Sequence, residues 1–164
     1  MADQIISQEY LLEIFDYKDG ELYYKKKYAR NIKIGKKVGR LNPYGYVYTR
    51  LSGKEYRNHR LIFMMFNGYF PEQVDHIDGN TTNNRIENLR AANNTKNQWN
   101  SKVRKDSKSG IKGIRWYPNY KKWVADCKVN GKRHHIGYFQ NIEEAQQKLT
   151  EFRQQNHGEF ANNG

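Results

Sequence analysis

The sequence is poor in the residues that build disulfide frameworks and membrane spans. It has a single cysteine, Cys127, which excludes an intramolecular disulfide and a multi-cysteine zinc cluster. No run approaches the roughly 18 consecutive apolar residues that cross a bilayer, and the N-terminus lacks the basic and apolar segments of a signal peptide. We therefore expect an intracellular protein in a reducing compartment, without a membrane partner.

Acidic residues are also scarce relative to basic ones, with 17 Asp and Glu against 29 Lys and Arg and a net charge of +12. Residues 25–60 carry 12 basic and 1 acidic residue, and residues 101–140 carry 11 and 2. The segment between them, residues 61–100, is nearly neutral, with 3 and 4. Excess positive charge indicates a polyanionic partner whose phosphates the cations would bind. The alternative is two unrelated, solvated basic faces.

Apolar residues make up only 37% of the chain and the mean hydropathy is -1.08, so we expect thin hydrophobic cores. A chain of 164 residues forms one ordinary domain or two or three very small ones. The patterning predicts an α+β protein with four segments. They are an N-terminal basic α+β segment (1–54), a compact ββα unit (55–101), a flexible basic linker (102–110) and a three-stranded antiparallel sheet with one helix (111–164).

Local signals predict where several of these elements begin and turn. Ser7 is suited to N-cap a helix over residues 5–15, and Asn141 to N-cap the last helix. Asn130-Gly131 is a strong two-residue hairpin signal. A helix is expected over residues 94–101, and His157 is expected on the surface near the C-terminus.

The densest polar motif places a carboxylate, Asp75, directly before an imidazole, His76. Imidazole titrates near neutral pH and suits a general base, whereas a carboxylate supplies a hard oxygen for a cation such as Mg²⁺. Neighbouring strand residues point to opposite faces, so both can act at one site only if the strand ends or bends, as Asp78-Gly79 would permit. The alternative is a strand-end pair among asparagines that merely form turns.

The run Val-Asp-His-Ile-Asp-Gly-Asn at 74–80, followed by Asn88 and Asn97, resembles the HNH endonucleases, in particular those of phage and intron homing type. The resemblance implies a ββα-metal (His-Me finger) fold with His76 as general base and Asn88 as the residue that fixes the His76 ring. It also implies that Asp75 and Asn97 bind one divalent metal ion, Mg²⁺ with Mn²⁺ as the alternative. Asn97 stands where the family usually has a third histidine.

The C-terminal segment resembles AP2 DNA-binding domains in Ser-Gly-Ile-Lys-Gly-Ile-Arg-Trp at 109–116 and Lys-Trp-Val-Ala-Asp-Cys-Lys-Val at 122–129. That family lays a three-stranded sheet in the major groove, where strands can read base edges. The positions that match its DNA contacts are Arg115, Tyr117, Trp123, Lys128 and Arg133. Tyr117 and Lys128 stand where arginine is common, and neither makes the bidentate guanine contact of arginine as well.

Together these features predict a site-recognising DNA endonuclease, most like a homing enzyme. It would act on double-stranded DNA with one divalent metal ion and no small-molecule cofactor. It would be a monomer or homodimer, in the cytoplasm of a bacterial host if phage-encoded. His76 would take a proton from water, leaving 5′-phosphate and 3′-hydroxyl ends. The alternatives are a non-catalytic AP2-type DNA-binding regulator with a degenerate nuclease domain, and a nucleic-acid-binding structural protein.

Overall fold

The computed structural model describes residues 6–27, 30–93, 99–101, 103 and 106–161. These residues form several small antiparallel sheets together with α-helices, which is consistent with an α+β fold. The chain divides into two compact units, residues 1–93 and residues 94–164. None of the helices in the described ranges is both long enough and apolar enough to span a bilayer.

The described residues of the first unit form two helices and three small sheets. Its elements are α1 (Gln8–Ile14), β1 (Phe15–Lys18), β2 (Glu21–Tyr24), β3 (Arg40–Leu41), β4 (Val47–Leu51), β5 (Lys54–Arg57), α2 (Asn58–Asn67), β6 (Gln73–His76), a 3-10 turn (Ile86–Asn88) and β7 (Leu89–Ala92). The strands pair as a β1–β2 hairpin, a β3–β4–β5 sheet and a β6–β7 hairpin.

Local capping sets the ends of both helices. The Ser7 hydroxyl accepts a hydrogen bond from the backbone N–H of Tyr10, so the predicted N-cap of α1 is confirmed. The helix α2 ends before Gly68, whose φ of 76° lies in the left-handed region that glycine adopts without strain. The Gly68 N–H bonds to the carbonyl oxygen of Met64 at 2.9 Å, which satisfies one of the last carbonyls of the helix.

One hydrophobic core joins the two halves of the first unit. Leu61 and Ile62 of α2 are fully buried and belong to the same cluster as Leu11, Phe15 and Leu22 of the N-terminal segment. Burying each such side chain stabilises the fold by about 1.5–3 kcal/mol. The residues expected as a separate segment before position 55 therefore share their core with the residues that follow.

From residue 106 onward, the described residues of the second unit form a three-stranded sheet with a helix packed on it. Its elements are β8 (Ile114–Tyr117), a 3-10 turn (Pro118–Tyr120), β9 (Lys122–Val129), β10 (Lys132–Phe139), α3 (Ile142–His157) and a 3-10 turn (Gly158–Phe160), and the strand order is β10–β9–β8. The side chains that form the core between sheet and helix are Ile114, Ala125, Cys127, Ala145 and Leu149. The three predicted strands and the helix are confirmed.

The turn and cap predicted for this unit are confirmed as well. Asn130 and Gly131 both have positive φ, 49° and 80°, as a two-residue hairpin turn requires. The Asn141 amide oxygen accepts a hydrogen bond from the backbone N–H of Glu144 at 2.9 Å. The helix expected over residues 94–101 falls largely outside the described residues. His157, expected on the surface, is buried instead because its ring stacks on Trp99 with 4.1 Å between ring centres.

Candidate functional site

The β6–β7 hairpin places the Asp-His pair at the end of a strand. His76 is the last residue of β6 and pairs with Leu89, whereas Asp75 pairs with Arg90 on the opposite strand. Both side chains are 5% exposed, so each must find partners inside the protein. Because consecutive strand residues alternate between faces, Asp75 and His76 meet different neighbours.

The His76 ring is held by side chains from two other elements. Its Nε2 lies 2.9 Å from Oδ1 of Asn84, a buried residue in the loop after β6. An amide oxygen only accepts hydrogen bonds, so Nε2 carries the proton and the basic lone pair of neutral His76 is on Nδ1. The ring of His59 packs edge-on against His76 with 4.8 Å between centres, and Tyr46 lies next to both rings.

His59, at the start of α2, is a neighbour of the site. Its side chain is 3% exposed in the first turn of α2. Burial lowers the pKa of His59 from its ordinary value to about 3, reinforced by the charge that His76 carries when protonated and by those of Arg57 and Arg60. His59 is therefore neutral at physiological pH and packs against His76 as an uncharged ring.

Asn88 holds the loop between β6 and β7 rather than the His76 ring. Its Oδ1 accepts from the backbone N–H of Asp78 at 3.0 Å, and its Nδ2 donates to Asp78 Oδ1 at 2.9 Å and to the Asn83 carbonyl at 2.8 Å. The expected contact between Asn88 and the imidazole is thus corrected: Asn84 makes it. Nothing in the composition of this asparagine-rich loop separated Asn84 from its neighbours, and only its burial identifies it.

Asp78 is the second anchor of this loop. Burial works against its ionisation, but hydrogen bonds from Asn83, from the backbone of Asn80 and from Asn88 outweigh it and lower the pKa of Asp78. The carboxylate therefore stays charged and keeps its donors in place. A closed hydrogen-bonded loop of this kind fixes the position from which Asn84 reaches His76.

Two comparisons with known proteins bear on this geometry. Residues 56–99 match the HNH endonuclease family. Protein 3.8 of Escherichia phage T7 is 34% identical over 107 residues, which cover 64% of this chain and 88% of that protein. The chain belongs to the Protein 3.8 family and carries an HNH endonuclease domain. No solved structure matches it.

The HNH domain has consequences for substrate and cofactor. Such a domain implies DNA as the substrate, and HNH nucleases generally use a divalent metal ion. The matched range spans α2, the β6–β7 hairpin and the loop between its strands. It therefore contains His76, Asn84 and Asn88. It also includes Asn97, which lies outside the described residues.

The donor chemistry beside His76 fits a hard divalent cation. The buried carboxylate of Asp75 supplies the type of oxygen that Mg²⁺ and similar ions bind. In the structure its Oδ2 lies 2.9 Å from both Nε and Nη2 of Arg90, so the guanidinium balances the buried charge. Within the described part of the chain there is no cluster of three or more His, Cys, Asp or Glu suited to a metal.

In the second unit, four of the five residues matched to DNA contacts share one face of the sheet. Cross-strand partners lie on the same face, and Arg115 pairs with Val124, Tyr117 with Lys122, and Arg133 with Lys128. This face, opposite the helix-packed one, is called the outer face below. Its Arg115 and Arg133 side chains are 51% and 69% exposed, as contact with a large partner requires.

Trp123, the fifth residue matched to a DNA contact, lies on the other face of the sheet. Trp123 pairs with Trp116 and Phe139 and packs against the core on the helix-facing side of the sheet. Its neighbour Val124 takes the outer-face position, because strand residues alternate. Trp123 therefore contributes to the stability of the unit and does not join the arginines on the outer face.

Proposed function

We propose that the chain is a metal-dependent endonuclease that recognises sites in double-stranded DNA. The observation that carries the proposal is the buried His76 ring, whose Nε2 bonds to Asn84. That contact leaves the basic lone pair on Nδ1, as a general base for hydrolysis requires. The HNH match over residues 56–99 supports the same chemistry.

In the proposed reaction, Nδ1 of His76 takes a proton from a water molecule. The resulting hydroxide attacks phosphorus in line with the departing 3′ oxygen, and the products carry 5′-phosphate and 3′-hydroxyl ends. Asp75 and Asn97 would bind one divalent ion, Mg²⁺ or alternatively Mn²⁺, which when bound would stabilise charge on the departing oxygen. Asn84 keeps the imidazole in position, and Asn88 acts one step further away by closing the loop that carries Asn84.

We further propose a ββα-metal nuclease core, an AP2-like second unit and a homing-type role. The β6–β7 hairpin and the phage relative support the first and the last. A three-stranded sheet backed by one helix, with exposed arginines on its outer face, supports the second. The enzyme would act as a monomer or homodimer, in the cytoplasm of a bacterial host if it is phage-encoded.

The Asp75–Arg90 ion pair favours a second candidate, a non-catalytic DNA-binding regulator. A carboxylate whose charge is already balanced by a guanidinium has less electrostatic need of a metal ion. In such a protein the second unit would bind DNA while the HNH domain would have lost its activity. The two candidates differ in one measurable property, which is metal-dependent cleavage.

The deciding experiment incubates the full-length protein with supercoiled plasmids that carry fragments of phage and host DNA. Nicked or linear product with Mg²⁺, and none with EDTA or with His76→Ala, supports the endonuclease. His134→Ala is the matched control, because it removes an exposed histidine of the second unit and should cut at the wild-type rate. Binding without any cleavage in Mg²⁺ or Mn²⁺ would favour the regulator, and cleavage by His76→Ala at the wild-type rate would refute the proposed base.

A further inference from the structure

One acidic side chain lies within the basic outer face of the second unit. Asp126, near the middle of β9, is the sole acidic residue in strands β8, β9 and β10, and its side chain is 9% exposed. Its Oδ2 lies 3.2 Å from Nη2 of Arg115 on β8 and 3.3 Å from Nη2 of Arg133 on β10. Its Oδ1 lies 3.2 Å from Nδ1 of His135, also on β10. One carboxylate thus links all three strands of the sheet.

This placement is costly for a surface that only binds phosphates. A negative charge among cations weakens attraction to a polyanion, and taking a carboxylate out of water requires compensating partners. The register of the sheet explains the contacts. His135 is the direct cross-strand partner of Asp126, whereas Arg133 pairs with Lys128 and Arg115 with Val124, each two residues along β9 from Asp126 and on the same face. The pairing of the strands therefore places the Asp126 carboxylate among these three side chains, where it constrains their orientation.

The geometric effect falls on the two arginines. A guanidinium has five N–H donors in a rigid plane, so contact through one Nη leaves other donors to project outward. An unrestrained arginine on an exposed strand binds phosphate oxygens in many orientations and reads no sequence. An arginine held in one direction can instead meet the O6 and N7 acceptors of guanine in the major groove.

We propose that Asp126 is the positioning residue that gives the outer face its sequence specificity, by orienting Arg115 and Arg133 toward guanine edges. This inference rests on the proposed DNA-binding function of the second unit. It predicts opposite effects on affinity and on sequence discrimination. Loss of the carboxylate removes a charge that repels DNA, and it also removes the group that orients the two arginines. Affinity for arbitrary DNA should stay equal or rise, while discrimination between sequences should fall.

The test uses the full-length protein carrying His76→Ala, so that bound DNA stays intact. A random duplex library is selected on this protein, and dissociation constants are then measured for the selected site and for a scrambled duplex at fixed salt. Asp126→Asn is compared with Glu151→Gln, which removes the same charge from an exposed position on α3, away from the sheet. The discrimination ratio is the dissociation constant for the scrambled duplex divided by that for the selected site. We expect Asp126→Asn to lower this ratio by on the order of 10- to 100-fold. Glu151→Gln should leave the ratio unchanged.

A second measurement does not depend on the folding of an Asp126 variant. Arg115→Gln and Arg133→Gln alter exposed side chains, and each should lower the discrimination ratio. If Asp126 couples the two arginines, the variant that carries both substitutions should lose little more of the discrimination ratio than the more affected single variant. If the two losses are independent, so that their fold-changes multiply in the double variant, the inference is overturned. Retention of the full ratio in Asp126→Asn, or equal weakening on both duplexes, would also overturn it. If the parent protein does not discriminate at all, the proposed reading function fails, and the inference fails with it.

Discussion

Asn84→Ala tests the geometry of the nuclease site most directly. The substitution removes the oxygen that lies 2.9 Å from Nε2 of His76 and leaves a buried N–H without that acceptor. An unsatisfied buried donor costs about 1–3 kcal/mol, so the free energy of unfolding should fall by about that amount. Urea unfolding followed by far-UV circular dichroism measures it.

The same substitution should slow cleavage more than it weakens binding. Without this contact the ring is held less firmly, so the Nδ1 lone pair points at the attacking water for a smaller part of the time. Partners that orient a functional histidine typically contribute a factor of about 10–100. We therefore expect kcat for plasmid cleavage to fall by roughly that factor, with KM nearly unchanged, since Asn84 is buried and binds no substrate.

Asn83→Ala is the matched control for Asn84→Ala. Asn83 is the preceding residue and its amide donates to Oδ2 of Asp78 at 2.7 Å rather than to the imidazole. It should reduce stability without a comparable loss of kcat. Wild-type cleavage by Asn84→Ala, or an equal kcat loss in both variants, would refute the assigned role of Asn84.

Three further predictions concern His59, the loop and the second unit. The unfolded chain protonates His59 near pH 6.5, and the folded protein only near pH 3. As the pH falls from 6.5 to 3, the free energy of unfolding should therefore decrease by up to about 1.4 kcal/mol per pH unit. In urea unfolding, His59→Gln should remove this slope. The pKa of Asp78 is lower in the folded protein than its unfolded value near 3.8, so the ionised carboxylate stabilises the fold above pH 3.8. This stabilisation is lost as the pH falls through the folded-state pKa. Asn88→Ala, which removes one of the donors to Asp78, should therefore destabilise the protein less at pH 3 than at pH 6. Trp123→Ala should lower the free energy of unfolding by roughly 3 kcal/mol. Lys128→Ala, which removes an exposed cation of the outer face, should keep the melting temperature and reduce the salt dependence of DNA binding.

The elements could be predicted from the sequence because their signals are local. Ser7 and Asn141 cap helices through contacts three residues away, and Asn130-Gly131 forms its turn within the dipeptide and its flanks. The strands of the second unit follow from apolar and aromatic residues between such turns. Each of these structures depends on neighbours in the chain, so the residue types alone specify it.

The contacts within the candidate site could not be predicted in this way. The bond between Asn84 and His76 depends on how the loop closes, and the sequence offers several asparagines of equal chemistry. Asp75 meets Arg90 only because the hairpin register sets them opposite one another. The burial of His157 likewise depends on Trp99, 58 positions earlier, whose ring covers it. In each case partners distant in sequence decide the outcome.

The N-terminal hairpin shows how far the support of the nuclease site extends. The hydroxyl of Tyr17 on β1 accepts the backbone N–H of Ile86 at 3.0 Å. The β1–β2 turn lies so close to the loop that a Cβ on Gly20 would come within 2.8 Å of the Arg85 backbone nitrogen. Both contacts fall directly after Asn84, so the hairpin fixes the chain from which that amide reaches His76. The site therefore depends on a hairpin whose Tyr17 is 69 positions from its partner Ile86. The hairpin carries none of the chemistry itself but holds the loop that orients the base.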